Sequence, residues 1–267
     1  MEAVMLANLP APVREAVARQ TGPVLAASPI AAGHNSPLSV RLETARGPLF
    51  VKGLPDTSPG RVATQRREYE ISRHLHGVGP RARWQIRAGG WHLVAFDYLN
   101  DARHADYRPG STDLPAVVNL LQKVARLPIP VGVDLRRAEQ RLSAYGNGEQ
   151  LRHVAGGTLL HTDLNPHNVL LNEDGTAHLV DWGWATLGAS WLDAAAWGIW
   201  LVASGHTPST ALAWAARLPA YRAAAPAARH AYAAMASAMW EDIAEASDAP
   251  WVSRVRDAAG AWVAATS

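Results

Sequence analysis

The amino-acid sequence predicts an α+β fold in which a small strand-rich part is followed by a larger, mostly helical part. Short apolar runs separated by turn-forming residues dominate residues 1–98, whereas residues 99–267 are typical of helices interrupted by proline. The charge changes at the same point: residues 1–100 hold 12 Lys and Arg against 7 Asp and Glu, and the remainder holds 13 against 16. We therefore predict one domain over residues 1–98 and a second over residues 99–267.

The first part is predicted to form a small antiparallel sheet with one main helix. Four runs have the composition and length of strands, namely Val24–Ala32, Leu38–Glu43, Leu49–Lys52 and Trp91–Leu99. A turn-forming cluster from Gly33 to Pro37 joins the first two strands. The helix is expected over Arg61–Leu75, because Pro59 and Gly60 precede it and Gly77 follows it.

The second part is predicted to be helical around a few short strands. An amphipathic helix is expected over Leu114–Leu127, and Pro128 ends it. Three short apolar runs are predicted as strands, namely Thr158–Leu160, Val169–Leu171 and His178–Val180. From Ser190 onward the sequence is rich in Ala and Trp, and we expect helices that break near the prolines.

The composition excludes several classes of protein. The 267 residues include no cysteine, which excludes a disulfide framework, a Cys-ligated zinc site and a thiol nucleophile. A net charge of +2 does not suggest a nucleic-acid partner. The N-terminus lacks the basic segment of a secretory signal, and the longest uncharged run, between Asp193 and Arg217, is too often interrupted to span a membrane. We expect a cytoplasmic monomer or weak homodimer with no membrane partner.

One segment carries the residue types that phosphoryl transfer requires. It reads H-x-D-x-x-x-x-N at His161, Asp163 and Asn168, and Asp181-Trp182-Gly183 begins 18 residues after Asp163. Transfer from a nucleotide needs a carboxylate that orients the attacking hydroxyl and accepts its proton, and a second carboxylate and an amide that hold Mg²⁺. Asp163, Asp181 and Asn168 supply these groups. The alternative interpretation, two ordinary turns rich in Asp and Asn, does not require this order and spacing.

These loops resemble those of the aminoglycoside phosphotransferase family, which are antibiotic kinases of the protein-kinase-like superfamily. In that family the catalytic loop reads H-G-D-x-x-x-x-N and the metal loop reads D-x-G, and the resemblance extends from Gly33 to the helix after Asp193. It implies a two-lobed protein-kinase-like fold that binds ATP in residues 1–98 and the acceptor in residues 99–267. It also implies that Asp163 is the catalytic base and that Asn168 and Asp181 bind Mg²⁺.

The resemblance further requires a lysine on the third strand and a glutamate on the next helix. Lys52 ends the third predicted strand, and it is one of only two lysines among 25 basic residues. Its partner is Glu68 or Glu70, and only one of them can face it because the two lie about 200° apart around a helix. Ile71 and Leu75 share the face of Glu68, which favours Glu68. Glu70 would then be solvated.

The remaining nucleotide contacts follow from the resemblance. The turn after the first strand holds one glycine, Gly33, instead of the G-x-G-x-x-G of protein kinases. Taken alone, such a turn is typical of a plain hairpin, but its backbone N–H groups and the hydroxyl of Ser36 can bind phosphate oxygens. The backbone of Asp97 and of Leu99 is expected to bind adenine.

Two residues near the loops are expected to support them, and a third group has two interpretations. By resemblance, His161 orients the catalytic loop, and Asp193 accepts hydrogen bonds from the backbone of that loop. Trp240 is followed by Glu241 and Asp242. These three residues form either a solvated helix face or a contact surface for the acceptor.

We predict an ATP- and Mg²⁺-dependent O-phosphotransferase that acts on a hydroxyl of a small molecule, most often an antibiotic in this family, of the aminoglycoside or another class. Beyond Ala194, five acids are balanced by five arginines, so a less cationic antibiotic fits at least as well as a polycationic aminoglycoside. The alternatives are a kinase for a metabolic alcohol, sugar or amino alcohol, and a pseudokinase without turnover. The presence of Lys52, Glu68 and the three loop residues disfavours a pseudokinase.

Overall fold

The computed structural model describes residues 4–30 and 36–267. The chain divides into two compact units, Met1–Asn100 and Asp101–Ser267. Gly33, which the sequence analysis assigns to the phosphate-binding turn, lies outside the described residues. No helix within the described ranges is both long and apolar enough to cross a lipid bilayer.

The first unit is a five-stranded antiparallel sheet with two α-helices. Its elements are α1 (Ala11–Thr21), β1 (Val24–Pro29), β2 (Leu38–Thr44), β3 (Leu49–Pro55), α2 (Pro59–Ser72), β4 (Ala82–Ala88) and β5 (Trp91–Asp97). The strands lie in the order β1-β2-β3-β5-β4, and each neighbouring pair is antiparallel. On one face of the sheet, Val40, Val51 and Leu93 pack with Val13 and Val17 of α1 in an apolar core.

The other face of the sheet carries Lys52. Successive strand residues point to opposite faces, so Lys52 points away from Val51 and lies beside Val94, its cross-strand partner. Val94 and Phe96 form a second, smaller apolar cluster, and Tyr69 of α2 packs against it. Helix α2 therefore covers the face from which Lys52 projects.

The predicted antiparallel sheet is confirmed, and the structure adds two elements that were not predicted. Strand β4 alternates apolar and polar residues, and its first four residues are alternately buried and exposed. This pattern is expected of an edge strand with one covered face. Helix α1 buries Val13 and Val17, one turn apart, and begins beside Pro12. The sequence pattern for both elements is present, but each is short and interrupted by charged residues.

The second unit consists of helices around two small three-stranded sheets. Its elements are β6 (Arg103–His104), α3 (Leu114–Val124), β7 (Arg136–Arg137), α4 (Ala138–Arg141), α5 (Gly148–Val154), β8 (Thr158–Leu160), β9 (Val169–Leu171), β10 (Ala177–Leu179), β11 (Thr186–Gly188), α6 (Leu192–Ala203), α7 (Pro208–Ala215), α8 (Pro219–Ala223), α9 (Pro226–Glu245) and α10 (Pro250–Thr266). Strand β9 pairs with β6 and β10, and β11 pairs with β7 and β8. Each helix from α7 to α10 begins at a proline, which suits the first turn because its N–H has no partner there.

An ion pair fixes the segment between β6 and α3. The guanidinium of Arg103 donates to both carboxylate oxygens of Asp113, at 2.6 and 2.7 Å, and the backbone N–H of Asp106 donates to the same carboxylate at 2.8 Å. Asp113 is buried, and the hydrogen bond from Arg103 lowers its pKa below the usual value. The chain is thereby held at the point where the second unit begins.

Helix α6 is buried along most of its length, and α10 packs closely against it at Gly198. A Cβ atom at this position would lie 2.2 Å from the Trp262 ring. Trp262 is fully buried. The close approach of the two helices therefore depends on the absence of a side chain at residue 198.

We expect Gly198→Ala to lower the free energy of unfolding by about 1 to 3 kcal/mol, because the added methyl group overlaps the buried indole. Gly260→Ala is the matched control, since nothing lies within 4 Å of the methyl group that it would add to α10. That control should stabilise by up to about 1 kcal/mol. Urea denaturation measures both variants, and equal unfolding free energies would contradict this packing.

Candidate active site

The segment predicted to be the catalytic loop runs from the end of β8 to the start of β9, and we keep that name for it. Both strands are short and largely buried, so the polar residues between them form the connection. Within it, Pro166–Asn168 forms one 3₁₀ turn, and the side chain of Asn165 accepts a hydrogen bond from the N–H of His167 at 2.9 Å. This cap starts the turn and places Asn168 at its end.

Two side-chain amides hold the carboxylate of Asp163. Asn165 Nδ2 donates to Oδ1 at 2.9 Å, and Asn168 Nδ2 donates to Oδ2 at 2.9 Å. Asn168 Nδ2 also donates to the backbone carbonyl of Asp163, at 3.0 Å. Because both amides are neutral, they orient the carboxylate without cancelling its charge. Asp163 can therefore accept a proton from a group placed against it.

Asp193 holds the residues that precede Asp163. Its Oδ2 accepts the N–H of His161 and its Oδ1 accepts the N–H of Thr162, each at 2.9 Å. Thr162 has a left-handed backbone conformation, with φ of 69°, which directs two successive N–H groups at one carboxyl group. Burial raises the pKa of Asp193, and the hydrogen bonds from His161 and Thr162 oppose this shift. The predicted contact of Asp193 with the catalytic loop is confirmed.

His161 joins the catalytic loop to the metal loop. Its Nε2 lies 2.9 Å from the carbonyl oxygen of Val180, and its Nδ1 lies 3.3 Å from the backbone nitrogen of Asp163. The carbonyl can only accept and the N–H can only donate, so the neutral tautomer with hydrogen on Nε2 satisfies both. The ring also packs edge-on against Trp182, at 4.8 Å between ring centroids. His161 thus orients the loop, as predicted.

The segment predicted to be the metal loop, Asp181-Trp182-Gly183, is fixed on both sides of Asp181. The N–H of Val180 donates to the carbonyl of Asn168 at 2.9 Å. After Asp181, Trp182 is buried and its indole N–H donates to the carbonyl of Leu179 at 2.9 Å. Asp181 itself has a left-handed conformation, with φ of 64°, which Asp adopts more readily than most residues.

The donor set of these loops fits Mg²⁺. The described residues contain no group of three or more His, Asp or Glu side chains that could hold a metal by themselves. Mg²⁺ does not need one, because one or two protein oxygens suffice when water and phosphate complete the shell. Asp181 offers a carboxylate. Asn168 offers its amide oxygen, because its amide nitrogen is bonded to Asp163.

In the first unit, Lys52 and the buried Glu68 form a largely buried ion pair. Lys52 Nζ lies 2.5 Å from Glu68 Oε2, and the two side chains are 11% and 6% exposed. Glu70 instead pairs with Arg66, one turn away on the exposed side of α2, at 2.8 Å. The structure thus brings Lys52 together with Glu68, the glutamate that shares a helix face with Ile71.

The other predicted nucleotide contacts lie at two ends of the first sheet. Ser36 is half-buried and comes two residues before β2. Asp97 is the last residue of β5, its side chain pairs with Arg83, and its backbone N–H donates to the carbonyl of Arg81 at 2.9 Å. Leu99 follows two residues later and is half-buried.

An aromatic residue next to the catalytic loop was not predicted from the sequence. Trp184 is 48% exposed, and its carbonyl accepts a hydrogen bond from Thr162 Oγ1 at 3.1 Å. The guanidinium of Arg141 lies over its ring, 4.7 Å from the centroid. The backbone of Trp184 therefore lies beside Thr162, the residue that precedes Asp163, while part of its ring is exposed. The one sequence feature that could have pointed to Trp184 is its position directly after Asp181-Trp182-Gly183.

Trp240 belongs to an aromatic cluster. It packs edge-on against Trp200, at 5.9 Å between centroids, and against Trp251, at 6.3 Å. Asp242 accepts a hydrogen bond from the Tyr145 hydroxyl at 2.7 Å, and this interaction raises the pKa of Tyr145. Trp240 therefore packs among other aromatic residues, which the sequence analysis did not anticipate, whereas Glu241 and Asp242 are exposed, as expected of a solvated helix face.

Comparison with known proteins identifies the fold. No protein-family model and no curated protein match the chain. Among solved structures, the choline kinase LicA from Streptococcus pneumoniae superposes with a TM-score of 0.59 over 94% of this chain and 97% of that chain, at 13% identity. The aminoglycoside phosphotransferase APH(4)-Ia, in ternary complex with AMP-PNP and hygromycin B, gives 0.60 over 93% and 98%, at 14% identity. Spectinomycin phosphotransferase APH(9)-Ia, in complex with ADP and spectinomycin, gives 0.56 over 94% and 92%, at 11% identity.

The chain therefore has the protein-kinase-like fold that aminoglycoside phosphotransferases share with choline kinases. Similarity at this level of identity defines the fold and not the substrate. The predicted fold class is confirmed: a small antiparallel sheet unit followed by a larger helical one.

We expect Glu68→Gln to lower the free energy of unfolding by about 2 to 4 kcal/mol, because the buried ammonium of Lys52 loses the carboxylate of Glu68. Glu70→Gln, on the same helix, breaks an exposed pair and should change stability by less than about 0.5 kcal/mol. Urea denaturation of both variants gives the comparison. Similar effects of the two substitutions would show that Lys52 does not depend on Glu68.

Proposed function

We propose that this protein is an ATP- and Mg²⁺-dependent O-phosphotransferase that transfers the γ-phosphate to a hydroxyl group of a small molecule. The arrangement of Asp163 carries the proposal. Both oxygens of its carboxylate accept hydrogen bonds from neutral amides. Hydrogen bonds of Asp193 and His161 hold the loop that carries it. A base oriented in this way is what phosphoryl transfer to a hydroxyl requires of the protein.

In the proposed reaction, Asp163 accepts the proton of the acceptor hydroxyl. The acceptor oxygen forms a bond to the γ-phosphorus as the bond between that phosphorus and the β–γ bridging oxygen breaks. The products are a phosphate ester and ADP, and the proton passes from Asp163 to solvent. Asn165 and Asn168 keep the carboxylate aligned during the transfer because their amide hydrogens are already bonded to it.

Asn168 and Asp181 are the residues that we propose hold Mg²⁺. When bound, the ion would neutralise charge on the phosphate oxygens. The protein contributes the position of the two donors. The N–H of Val180 binds the carbonyl of Asn168, and this hydrogen bond joins the two loops immediately before Asp181.

The nucleotide is proposed to bind through the first unit, Met1–Asn100, which contains the nucleotide-binding domain predicted over residues 1–98. Lys52, held by Glu68, supplies a positive charge for the α- and β-phosphates. We assign the adenine contacts to the backbone of Asp97 and of Leu99, and the N–H of Asp97 donates to the carbonyl of Arg81 at 2.9 Å. We also assign phosphate contacts to Gly33 and Ser36. The AMP-PNP and ADP in the two antibiotic-kinase complexes support a nucleotide ligand.

The acceptor is proposed to be a hydroxylated antibiotic that is neutral or weakly charged. Hygromycin B and spectinomycin in the similar structures support an antibiotic. The charge argument comes from the residues beyond Ala194, where five acids are balanced by five arginines, so this part of the chain has no net negative charge to attract a polycation. A neutral molecule could also pack against the exposed part of the Trp184 ring.

A kinase for a metabolic alcohol, sugar or amino alcohol is the second candidate. It is favoured by the structural match to choline kinase LicA, whose TM-score is close to those of the antibiotic kinases. The two candidates share every step at Asp163 and differ only in the acceptor. A screen of hydroxylated antibiotics and metabolites for ATP-dependent gain of one phosphoryl group distinguishes them.

With an acceptor identified by this screen, we expect Asp163→Asn to lower kcat by about 10² to 10⁴-fold, because the amide cannot accept the hydroxyl proton. The Kd for Mg-ATP should stay within about twofold, since Asp163 is not assigned to the nucleotide. Asp174→Asn, in the exposed turn between β9 and β10, is the control and should keep full activity. Full activity of the Asp163→Asn variant would exclude the proposed mechanism.

A further inference from the structure

Two polar contacts, one turn apart on α2, join this helix to the sheet of the first unit. Gln65 contacts His92 of β5, and Glu68 pairs with Lys52 of β3. His92 lies two residues before Val94, the cross-strand partner of Lys52, so His92 and Lys52 are on the same face of the sheet. The proposed function uses the pair of Lys52 and Glu68 but not the Gln65–His92 contact.

The Gln65–His92 contact is buried, and the direction of its hydrogen bonds is fixed. Gln65 is 3% exposed and His92 is 5% exposed. Gln65 Nε2 lies 3.0 Å from the backbone carbonyl oxygen of His92 and 2.8 Å from His92 Nδ1. Because the carbonyl can only accept, Gln65 donates one amide hydrogen to it and the other to Nδ1. His92 Nδ1 therefore carries no hydrogen, and the ring is neutral.

Protonation of His92 is incompatible with this arrangement. A hydrogen on Nδ1 would face the amide hydrogen of Gln65, so that two donors would meet. Turning the amide over would bring Gln65 Oε1 to Nδ1, but Oε1 would then also face the backbone carbonyl oxygen of His92, so that two acceptors would meet. Either orientation leaves a buried polar group without its hydrogen bond, which is unfavourable in the absence of water.

Burial and the surrounding charges also disfavour a proton on His92. The charged groups that act on the ring come from β4, from α2 and from the turn between β3 and α2, namely Arg87, Arg66 and Asp56. Burial lowers the pKa of His92 below its usual value of 6.5, the two guanidinium groups lower it further, and Asp56 opposes them. The carboxylate of Asp56 is itself paired with Arg87 at 2.9 Å. Lys52 and Glu68, on the same face of the sheet, have opposite charges.

We propose that the Gln65–His92 contact is an acid-sensitive connection that holds α2 against the sheet and releases it when His92 is protonated. Gln65 and Glu68 are buried on one side of α2, so the loss of this contact loosens the turn that carries Glu68. The contact contributes its full stability above pH 6.5. This contribution is lost as the pH falls below that value, because the unfolded chain then binds a proton that the folded chain excludes. A consequence for nucleotide binding rests on the proposed function, whereas the release of α2 does not.

Amide hydrogen exchange of the full chain, followed by NMR and corrected for the intrinsic rate at each pH, tests the proposal. Between about pH 7.5 and about pH 5, we expect the protection of α2 amides such as that of Glu68 to fall about tenfold relative to amides of α10. The ring signals of His92 should titrate with a midpoint below 6.5, and the protection of α2 should follow the same midpoint.

His92→Asn removes the titrating ring but keeps an acceptor for Gln65, because the amide oxygen of Asn can take the place of Nδ1. The relative protection of α2 in this variant should not depend on pH over this range. His76→Asn is the matched control, since His76 is an exposed histidine of the same unit, and this variant should lose protection in acid like the wild type.

A second variant, Gln65→Glu, reverses the effect of the contact on His92. A carboxylate at this position accepts from the protonated ring, so we expect the titration midpoint of His92 to rise above that of the wild type. An equal loss of α2 protection in His92→Asn and the wild type, or an unchanged midpoint in Gln65→Glu, would overturn the proposal. Neither measurement requires kinase activity, so a failed acceptor screen leaves both valid.

Discussion

The site of this protein depends on the buried carboxyl group of Asp193. Burying a carboxylate is unfavourable unless hydrogen bonds replace its lost hydration. Asp193 receives two such bonds, from the N–H groups of His161 and Thr162, and Thr162 adopts a left-handed conformation that lets both reach it. The direction of the chain into Asp163 is therefore set by a group that takes no part in the proposed chemistry.

From that point, hydrogen bonds connect the catalytic loop to the metal loop. The ring of His161 binds the carbonyl of Val180, and the N–H of Val180 binds the carbonyl of Asn168. Asn168 in turn donates to Asp163. These hydrogen bonds orient the side chains of Asp163 and Asn168 and hold the chain immediately before Asp181, which reduces the reorganisation needed in the proposed transition state. In the first unit, the ion pair with Glu68 holds the ammonium group of Lys52 in a similar way.

The sequence predicted most of what depends on local pattern. Loop spacing selected Asp163, Asn168 and Asp181 as candidates, and their roles in catalysis and metal binding remain predictions. Helical periodicity favoured Glu68 over Glu70, and the ion pairs of the two glutamates agree with that choice. The sequence did not predict features that depend on tertiary packing. Trp184 is exposed although the nearby Trp182 is buried, and Trp240 belongs to an aromatic cluster. Both features depend on residues that lie far away in the sequence. The roles of Gly33, Ser36, Asp97 and Leu99 remain predictions that rest on the resemblance.

Amide hydrogen exchange in Asp193→Asn tests the central claim most directly. The amide that replaces the carboxylate keeps one acceptor oxygen and presents N–H donors where a backbone N–H now binds. We expect exchange at His161 and Thr162 to accelerate by at least about tenfold, while amides of the first unit, such as those of β3, serve as an unchanged internal reference. Unaltered exchange at both residues would show that the catalytic loop holds its position without Asp193, which would contradict this account.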